Sequence, residues 1–342
     1  MPPASPTTEE FHLGRGWYGA WQAAYLESGM RSLSVDGLPL IEERARLGPL
    51  PYRRLSSQTN VHTPRLDVAD DDALTPDFPA RLMGARKVDM VRMEYVASGS
   101  RLLAAARGWA GHNRITITPQ ALVPAVDCRR SYDQWLAGRS KRGRSRWPKL
   151  EREVIQTMGM RFEVLDGRTD LPELLAEIFA VERSGWKGQE GTAISDSHAD
   201  TLFYTRLAEE AASAGALRIA VLRHEGRIVA FEYGLLSADR LFLLKVGYDE
   251  TYEKQSIGHV LAVMNIRHCC EDPAIAWYDK LGNGLRPAPY KLRFADTLDT
   301  LYRITLYGPG WRSRALWLYQ IARIRAKIIA DRWRGRKPVT LT

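Results

Sequence analysis

Along the chain the spacing of apolar side chains switches repeatedly between a period of about two and a period of about 3.6, the marks of strand and helix. Residues 17–28 predict a helix, and 32–35 and 53–56 predict short strands, with residues 57–60 (Ser-Gln-Thr-Asn) as a loop. Asp70, Asp71 and Asp72, then Pro76 and Pro79, predict a turn-rich connection. Residues 88–95 (Val-Asp-Met-Val-Arg-Met-Glu-Tyr) alternate apolar and polar side chains as a half-buried strand does. Residues 98–108 suit a serine-capped helix, and 114–118 form another alternating strand, which Pro119 is expected to end.

The pattern from 132 to 158 is helical and basic: Arg139, Lys141, Arg142, Arg144, Arg146, Lys149 and Arg152 stand against only Glu151 and Glu153. Pro148 is expected to open the main helix at its first turn, and Gly159 to end it. A strand at 161–164 and a helix at 171–184 follow. Trp186 and a polar, glycine-containing loop at 187–192 lead to a helix at 196–214. Three strands then come in close succession, 217–224, 227–236 and 240–248, with Glu225-Gly226 and Ala238-Asp239 as tight hairpin turns. A helix at 258–270, a strand at 274–279, a glycine- and proline-rich loop before Tyr290-Lys291, a strand at 301–306 and a helix at 311–333 complete the series. Alternation of this kind predicts α/β layers.

Composition narrows the class. The 342 residues favour two domains, and 45% apolar with 26% charged side chains is globular composition. The net charge of +9 comes from 49 basic and 40 acidic side chains. Cys128, Cys269 and Cys270 are too few and too adjacent for a disulfide framework, which fits a reducing compartment. The histidines show no metal-ligand spacing, so no metal is expected. The N-terminal 16 residues, with Glu9, Glu10 and three prolines, read as a disordered lead-in and not as a signal peptide. No apolar run approaches the roughly 20 residues of a membrane-spanning helix. A cytoplasmic protein is expected, free or held at the inner surface of the membrane.

The most informative stretch runs from the strand 241–248 through a loop to a helix that opens at Gly258. A helix N-terminus presents unpaired N–H groups and partial positive charge, and glycine there lets a phosphate approach the backbone. Gln255, Ser256, Ile257, Gly258 and His259 therefore read as a pyrophosphate cradle. A glycine that merely starts a helix is the competing reading.

Gln255-x-x-Gly258 matches most of the Q/R-x-x-G-x-G/A coenzyme A loop of GNAT acyltransferases, with Val260 in place of the last small residue. The wider order resembles the CelD-like branch of that superfamily, named for an association with bacterial cellulose biosynthesis and related to FemX-like aminoacyl transferases. The basic helix ending at Gly159, the strand at 160–163, Ser184-Gly185-Trp186, the hairpin over 217–236, residues 256–261, a strand ending at Asp279 and the pair Tyr290-Lys291 carry the resemblance. It covers roughly 131–294 and extends weakly over the first half through residues 55–62. Here residues 282–289 lengthen the segment before Tyr290-Lys291, a departure that bears on the acceptor site.

The resemblance implies a tandem GNAT-like α/β (α+β) fold: two mixed-sheet halves with flanking helices and a basic C-terminal helix. The expected division is 1–130, a degenerate half without its own cofactor site; 131–308, the acyltransferase half; and 309–342, a basic amphipathic helix and tail. The expected reaction moves an acyl group from acyl-coenzyme A to an amine of a small molecule or saccharide by direct attack, since no activated nucleophile is visible. Two rivals stand beside it, an aminoacyl-tRNA-dependent transferase and a non-catalytic scaffold in polysaccharide assembly. The sequence sets no oligomeric state.

Glu232, in an apolar strand, is the leading candidate base; an ion pair with Lys245 on the neighbouring strand is the bland alternative. Asp279 ends a strand at the carboxyl edge, where α/β sites lie, or else fixes a loop. Lys291 suits an oxyanion or phosphate partner. Tyr290 is placed to protonate the leaving thiolate, or packs. Trp186 and Tyr233 are expected at the acceptor pocket, and Cys269 and Cys270 as helix packing. The basic helix at 139–152 is solvated, holds coenzyme A phosphates or holds tRNA. The C-terminal helix packs through its first half, and its end is a candidate for peripheral contact with an anionic membrane.

Overall fold

The hairpins that the turn residues encode organise the chain. In the computed structural model, residues 10–68, 74–84, 88–111, 113–185, 191, 193–282 and 284–333 are described. The lead-in at 1–9, the turn at 70–72, Trp186, most of the loop at 187–192, and the tail with Arg334, Arg336 and Lys337 lie outside the described residues.

The architecture is mixed α/β, as expected, but the division into halves is not contiguous. One compact unit takes residues 1–25, 123–281 and 288–298; the other takes 26–122, 282–287 and 299–342. Strand β5 (Arg114–Asp127) begins in the second of these and ends in the first, and β11 (Thr297–Tyr307) does the reverse. The expected boundaries at 130 and 308 therefore fall differently.

In the unit that contains residues 123–281, the strand order is β6 (Arg161–Leu165), β7 (Leu217–His224), β8 (Arg227–Ser237), β9 (Arg240–Tyr248), β10 (Trp277–Asp279) and the end of β5. Strands β6 to β9 are antiparallel, β10 runs parallel to β9, and β10 is antiparallel to β5. Glu225 and Gly226 both take positive φ at the β7–β8 turn, the geometry that two-residue hairpins need. Helix α1 (Arg15–Tyr25) joins this unit by packing on α7 (His198–Ser213): the Trp17 and Phe203 rings meet edge to face at 5.3 Å, and the Tyr25 hydroxyl donates to Asp200 Oδ1 at 2.7 Å.

The basic stretch is not one helix. It forms α4 (Tyr132–Ala137), with a Ser131 capping box, α5 (Lys141–Arg152), capped by Ser140, and a π-turn at Glu153–Thr157. Pro148 lies inside α5 rather than in its first turn, because Ser140 supplies the cap eight residues earlier. Gly159 closes the stretch at φ 70. Helix α6 (Leu171–Ser184) covers the same sheet, α8 (Ile257–Glu271) is the crossover from β9 to β10, and a single-turn helix α9 (Pro289–Leu292) follows.

The second unit has the order β1 (Arg31–Val35), β2 (Leu38–Leu47), β3 (Leu50–Ser57), β4 (Met90–Ala97), β11 and the start of β5. Strands β3 and β4 are parallel and joined through α2 (Phe78–Gly84). Helix α3 (Arg101–Trp109) has Ser100 as its cap, whose side chain accepts from Leu103 N–H. Leu38, Leu55, Leu66, Val91, Leu103 and Ile304 form its core. Strand β5 continues through Pro119, contrary to expectation. On the β10 side the ladder covers only residues 125–127, so the missing N–H at Pro119 breaks no bond on that edge. The C-terminal helix α10 (Trp311–Trp333) packs Leu316 on Met90 and Tyr307.

Candidate active site

Two parallel strands that separate create the site. Strand β10 pairs with β9 only at Trp277↔Arg240, Tyr278↔Leu241 and Asp279↔Phe242, while β9 continues to Tyr248. Past Asp279 the chain turns away, with Leu281 at φ 50. The gap that opens along β9 is a cleft of about 290 Å³. Side chains from both faces of the sheet reach it, so Phe231 and Glu232, neighbours on β8, both line it.

At one end lies the start of α8. Ser256 stands at the N-cap position in a left-handed conformation (φ 55, ψ 39) and its side chain makes no capping bond, so the start of α8 is left without a side-chain cap. Ser256, Gly258 and His259 line the cleft; Ile257 is fully buried and points into the core. Gly258 lies close to the Tyr248 ring, and a Cβ there would meet it at 3.1 Å. Close packing is thus one reason for this glycine, whatever ligand the cradle takes. Gln255 lies outside the lining, yet its buried Oε1 has no partner, an orphan polar atom at the rim of the cradle.

Positive charge converges here. Arg146 of α5 donates from Nη2 to Ser256 Oγ at 3.3 Å, and Arg293 approaches His259 Nε2 at 3.2 Å. Burial, then Arg293, Arg146 and Lys280, push the His259 imidazole down to about 4, so it is neutral at neutral pH and accepts from Arg293. An anion bound here would meet two guanidinium groups and a helix N-terminus.

At the inner end sits a buried polar network. Glu232 is 4% exposed, and its Oε2 accepts from Asn265 Nδ2 at 2.8 Å and from the Tyr278 hydroxyl at 2.7 Å. Lys280 is 2% exposed and lines the same cleft, with its Nζ 4.3 Å from the centre of the Tyr278 ring. Burial lowers the Lys280 ammonium below the usual lysine range, and the Glu232 charge offsets part of that. A lysine so placed gives up its proton more readily than an exposed one.

The expected pair between Glu232 and Lys245 does not form. Strand register sets Lys245 opposite Tyr233, not Glu232, and its Nζ lies 3.7 Å from Glu182. Asp279 is fully buried outside the lining; it accepts from Leu281 N–H at 2.9 Å and faces Arg240 at 3.5 Å, so it holds the turn after β10. Lys291 donates to the Leu281 carbonyl at 3.2 Å and is not in the lining, whereas its neighbour Tyr290 is. Tyr233 is a core residue: fully buried, its hydroxyl donates to the Tyr204 carbonyl at 3.1 Å. Trp186 lies outside the described residues.

Sequence reasoning passed over Lys280, Asn265 and Tyr278, and named Arg146 only as one of seven basic residues of the helix at 139–152. For Lys280 the signal was one residue away, since alternation along a strand sends the neighbours Asp279 and Lys280 to opposite sides. Asn265 stands seven residues after Gly258, on the same face of α8. Cys128 Sγ donates to the Val126 carbonyl at 3.8 Å and Cys269 Sγ to Asn265 Oδ1 at 3.9 Å; the neighbouring Cys269 and burial hold the Cys128 thiol well above the usual range. Among the described residues no group of three or more His, Cys, Asp or Glu side chains could hold a metal ion.

Residues 140–292 match the family model of the acetyltransferase (GNAT) domain. That span takes in α5, the cradle, the buried network and Tyr290-Lys291. No curated protein matches the chain in sequence. Among solved structures, FemX is 9% identical over 93% of this chain and 95% of its own, with a TM-score of 0.58. L-PGS from Bacillus licheniformis is 14% identical over 92% of each chain, with a TM-score of 0.54. The C-terminal domain of a putative lysylphosphatidylglycerol synthetase from Agrobacterium fabrum is 15% identical over 90% of this chain and 89% of its own, with a TM-score of 0.53. At these identities the likeness is one of fold alone, and the likeness to the acetyltransferase (GNAT) domain is confined to residues 140–292.

Proposed function

We propose that the chain is an N-acyltransferase that moves an acyl group from acyl-coenzyme A to an amine of a small molecule or saccharide. The observation that carries this reading is that cradle and buried network line one cleft: Ser256, Gly258 and His259 at one end, Glu232, Lys280 and Tyr290 further in. The donor's pyrophosphate would lie on the first turn of α8, with Arg146 and Arg293 as counter-charges. Its pantetheine arm would follow β9 along the gap and bring the thioester to the network.

The acceptor nitrogen then attacks the thioester carbon directly. The C–N bond forms, the C–S bond breaks, and the thiolate takes a proton. Glu232, or Lys280 in its neutral form, accepts the proton that the amine gives up. The Tyr290 hydroxyl is the proton donor for the thiolate. Asp279 and Lys291 act on this centre through the turn they hold. Placement in the CelD-like branch belongs to this proposal.

A second reading has one observation in its favour. Lys141, Arg142, Lys149 and Arg152 are exposed on α5, the helix whose Arg146 reaches the cradle. Such a surface suits a polyanionic donor such as aminoacyl-tRNA, and the likeness to FemX and to a putative lysylphosphatidylglycerol synthetase is compatible with it. Calorimetric titration of the full chain with coenzyme A and acetyl-coenzyme A, beside Gly258→Glu, separates the two. Wild-type binding that the variant loses supports the acyl-coenzyme A reading. No binding by wild type at millimolar ligand overturns it and leaves aminoacyl-tRNA as the donor to try.

A further inference from the structure

Helix α10 carries apolar side chains on two opposite faces, and only one of them is used. Leu316 is 5% exposed against Met90 and Tyr307, with Trp317 packed beside it and Ser313 buried. On the other side Trp311 is 68% exposed, Leu318 53%, Ile329 56% and Trp333 89%. At about 100° per residue these four fall within about 60° of one another on the helix surface. Ala322 and Ala326 are exposed along the same stripe. Arg312 and Arg323 border it on one side, Arg314 and Arg325 on the other, and all four are exposed. Water-facing helix surfaces are ordinarily charged and polar; a tryptophan at each end of an exposed apolar stripe is not that pattern.

We propose that this face of α10 lies on an anionic lipid bilayer, with the helix axis in the plane of the surface. The stripe would enter the interface between headgroups and acyl chains, where tryptophan settles. The two rows of arginine would lie level with lipid phosphates on either side. The sequence continues the same charge, with Arg334, Arg336 and Lys337 directly after the helix. Among the described residues no helix is long and apolar enough to cross a membrane, so α10 would rest on the bilayer and not span it. Charge decides between a lipid surface and a second copy of the chain. Pairing two copies through the stripe would bring four rows of arginine together, whereas anionic headgroups neutralise them.

The test is sedimentation of the full chain with vesicles of phosphatidylcholine alone and of phosphatidylcholine mixed with phosphatidylglycerol, at low and high salt. The chain is expected to sediment with the mixed vesicles at low salt and to be released by high salt. Leu318→Glu with Ile329→Glu should weaken this by at least about tenfold without moving the thermal midpoint, since both side chains are exposed. Arg314→Gln with Arg325→Gln should weaken it less and flatten the salt dependence. Equal sedimentation with and without phosphatidylglycerol, or undiminished binding by the Leu318/Ile329 variant, overturns the proposal. So does a concentration-dependent dimer, abolished by the same variant, in a chain that ignores vesicles; the stripe would then belong to a second copy.

Discussion

In the unit that carries the cleft, Glu182, Glu232, Asp279 and Lys280 are buried. In the other unit the buried polar side chains among the described residues are Ser57, Gln58, Thr63, Ser100, Thr116, Thr305 and Ser313, none of them ionisable. The two units share a device, a parallel strand pair joined by a crossover helix: β9–α8–β10 in one, β3–α2–β4 in the other. They differ in how the helix begins. Helix α8 opens at Ser256-Ile257-Gly258 with its first turn on the cleft, whereas α2 opens with Phe78 and Pro79, both buried, and is 7 residues long against 15. A proline in the first turn has no N–H to offer an anion. Buried charge is costly unless something uses or pairs it, so the unit that keeps it is where chemistry is expected.

That contrast can be broken most sharply at Lys280. Lys280→Met keeps the length and apolar stem but removes the ammonium, and is expected to lower kcat/KM for acyl transfer by about 10²-fold or more. Steady-state assays with an accepted amine would read this, and a variant within twofold of wild type would remove Lys280 from the mechanism. On stability, Glu232→Ala leaves Lys280 without its compensating charge and orphans the Asn265 and Tyr278 donors, at a cost of about 3–5 kcal/mol. Ser57→Ala in the other unit loses the contact with Thr59 and the bond from Glu94 N–H, at a cost of about 1 kcal/mol. Urea unfolding of both variants measures the difference, and equal costs would erase the distinction drawn here.

Arg146→Ala should raise the dissociation constant for coenzyme A by about tenfold, more at low salt than at high, in the same calorimetric titration. The smallest effect is a shift at His259. Its folded value of about 4 lies below the usual histidine value, so the unfolded chain binds the extra proton first. Its contribution to stability is therefore complete above roughly pH 6.5 and is lost as pH falls toward the folded value. Phosphate groups at the cradle would offset the Arg146 and Arg293 charges and raise that value. NMR titration of the ring with and without coenzyme A would show the rise, and an unchanged titration would place the phosphates elsewhere.

Much of the fold was legible because turns and caps are local. The hairpins at Glu225-Gly226 and Ala238-Asp239, the helix Leu171–Ser184 and the helix Trp311–Trp333 follow from nearby residues alone. Strand Leu38–Leu47 was missed although Asp36-Gly37, both at positive φ, announces a hairpin. Its charged half, from Glu42 to Arg46, hides the strand, since those charges find partners across the sheet, such as Glu43 with Arg54 at 2.8 Å. The cradle was legible as a motif and Glu232 as a charge in an apolar run. Lys280 and Asn265 were not, and Arg146 could not be singled out from the other basic residues of its helix, because these meet only through the separation of β9 from β10 and the packing of α5 beside α8. Tyr233 misled because its ring is fully buried with its hydroxyl on the Tyr204 carbonyl, whereas Phe231, the aromatic on the other side of Glu232, does line the cleft.

The account stands on donor and chemistry sharing one cleft, and a crystal structure of the chain with acetyl-coenzyme A tests this most directly. The predicted result has the pyrophosphate on the backbone of Ile257, Gly258 and His259, near Arg146, and the thioester within the part of the cleft lined by Glu232, Lys280 and Tyr290. Ligand bound anywhere else, or a cleft that saturating ligand leaves empty, would contradict it.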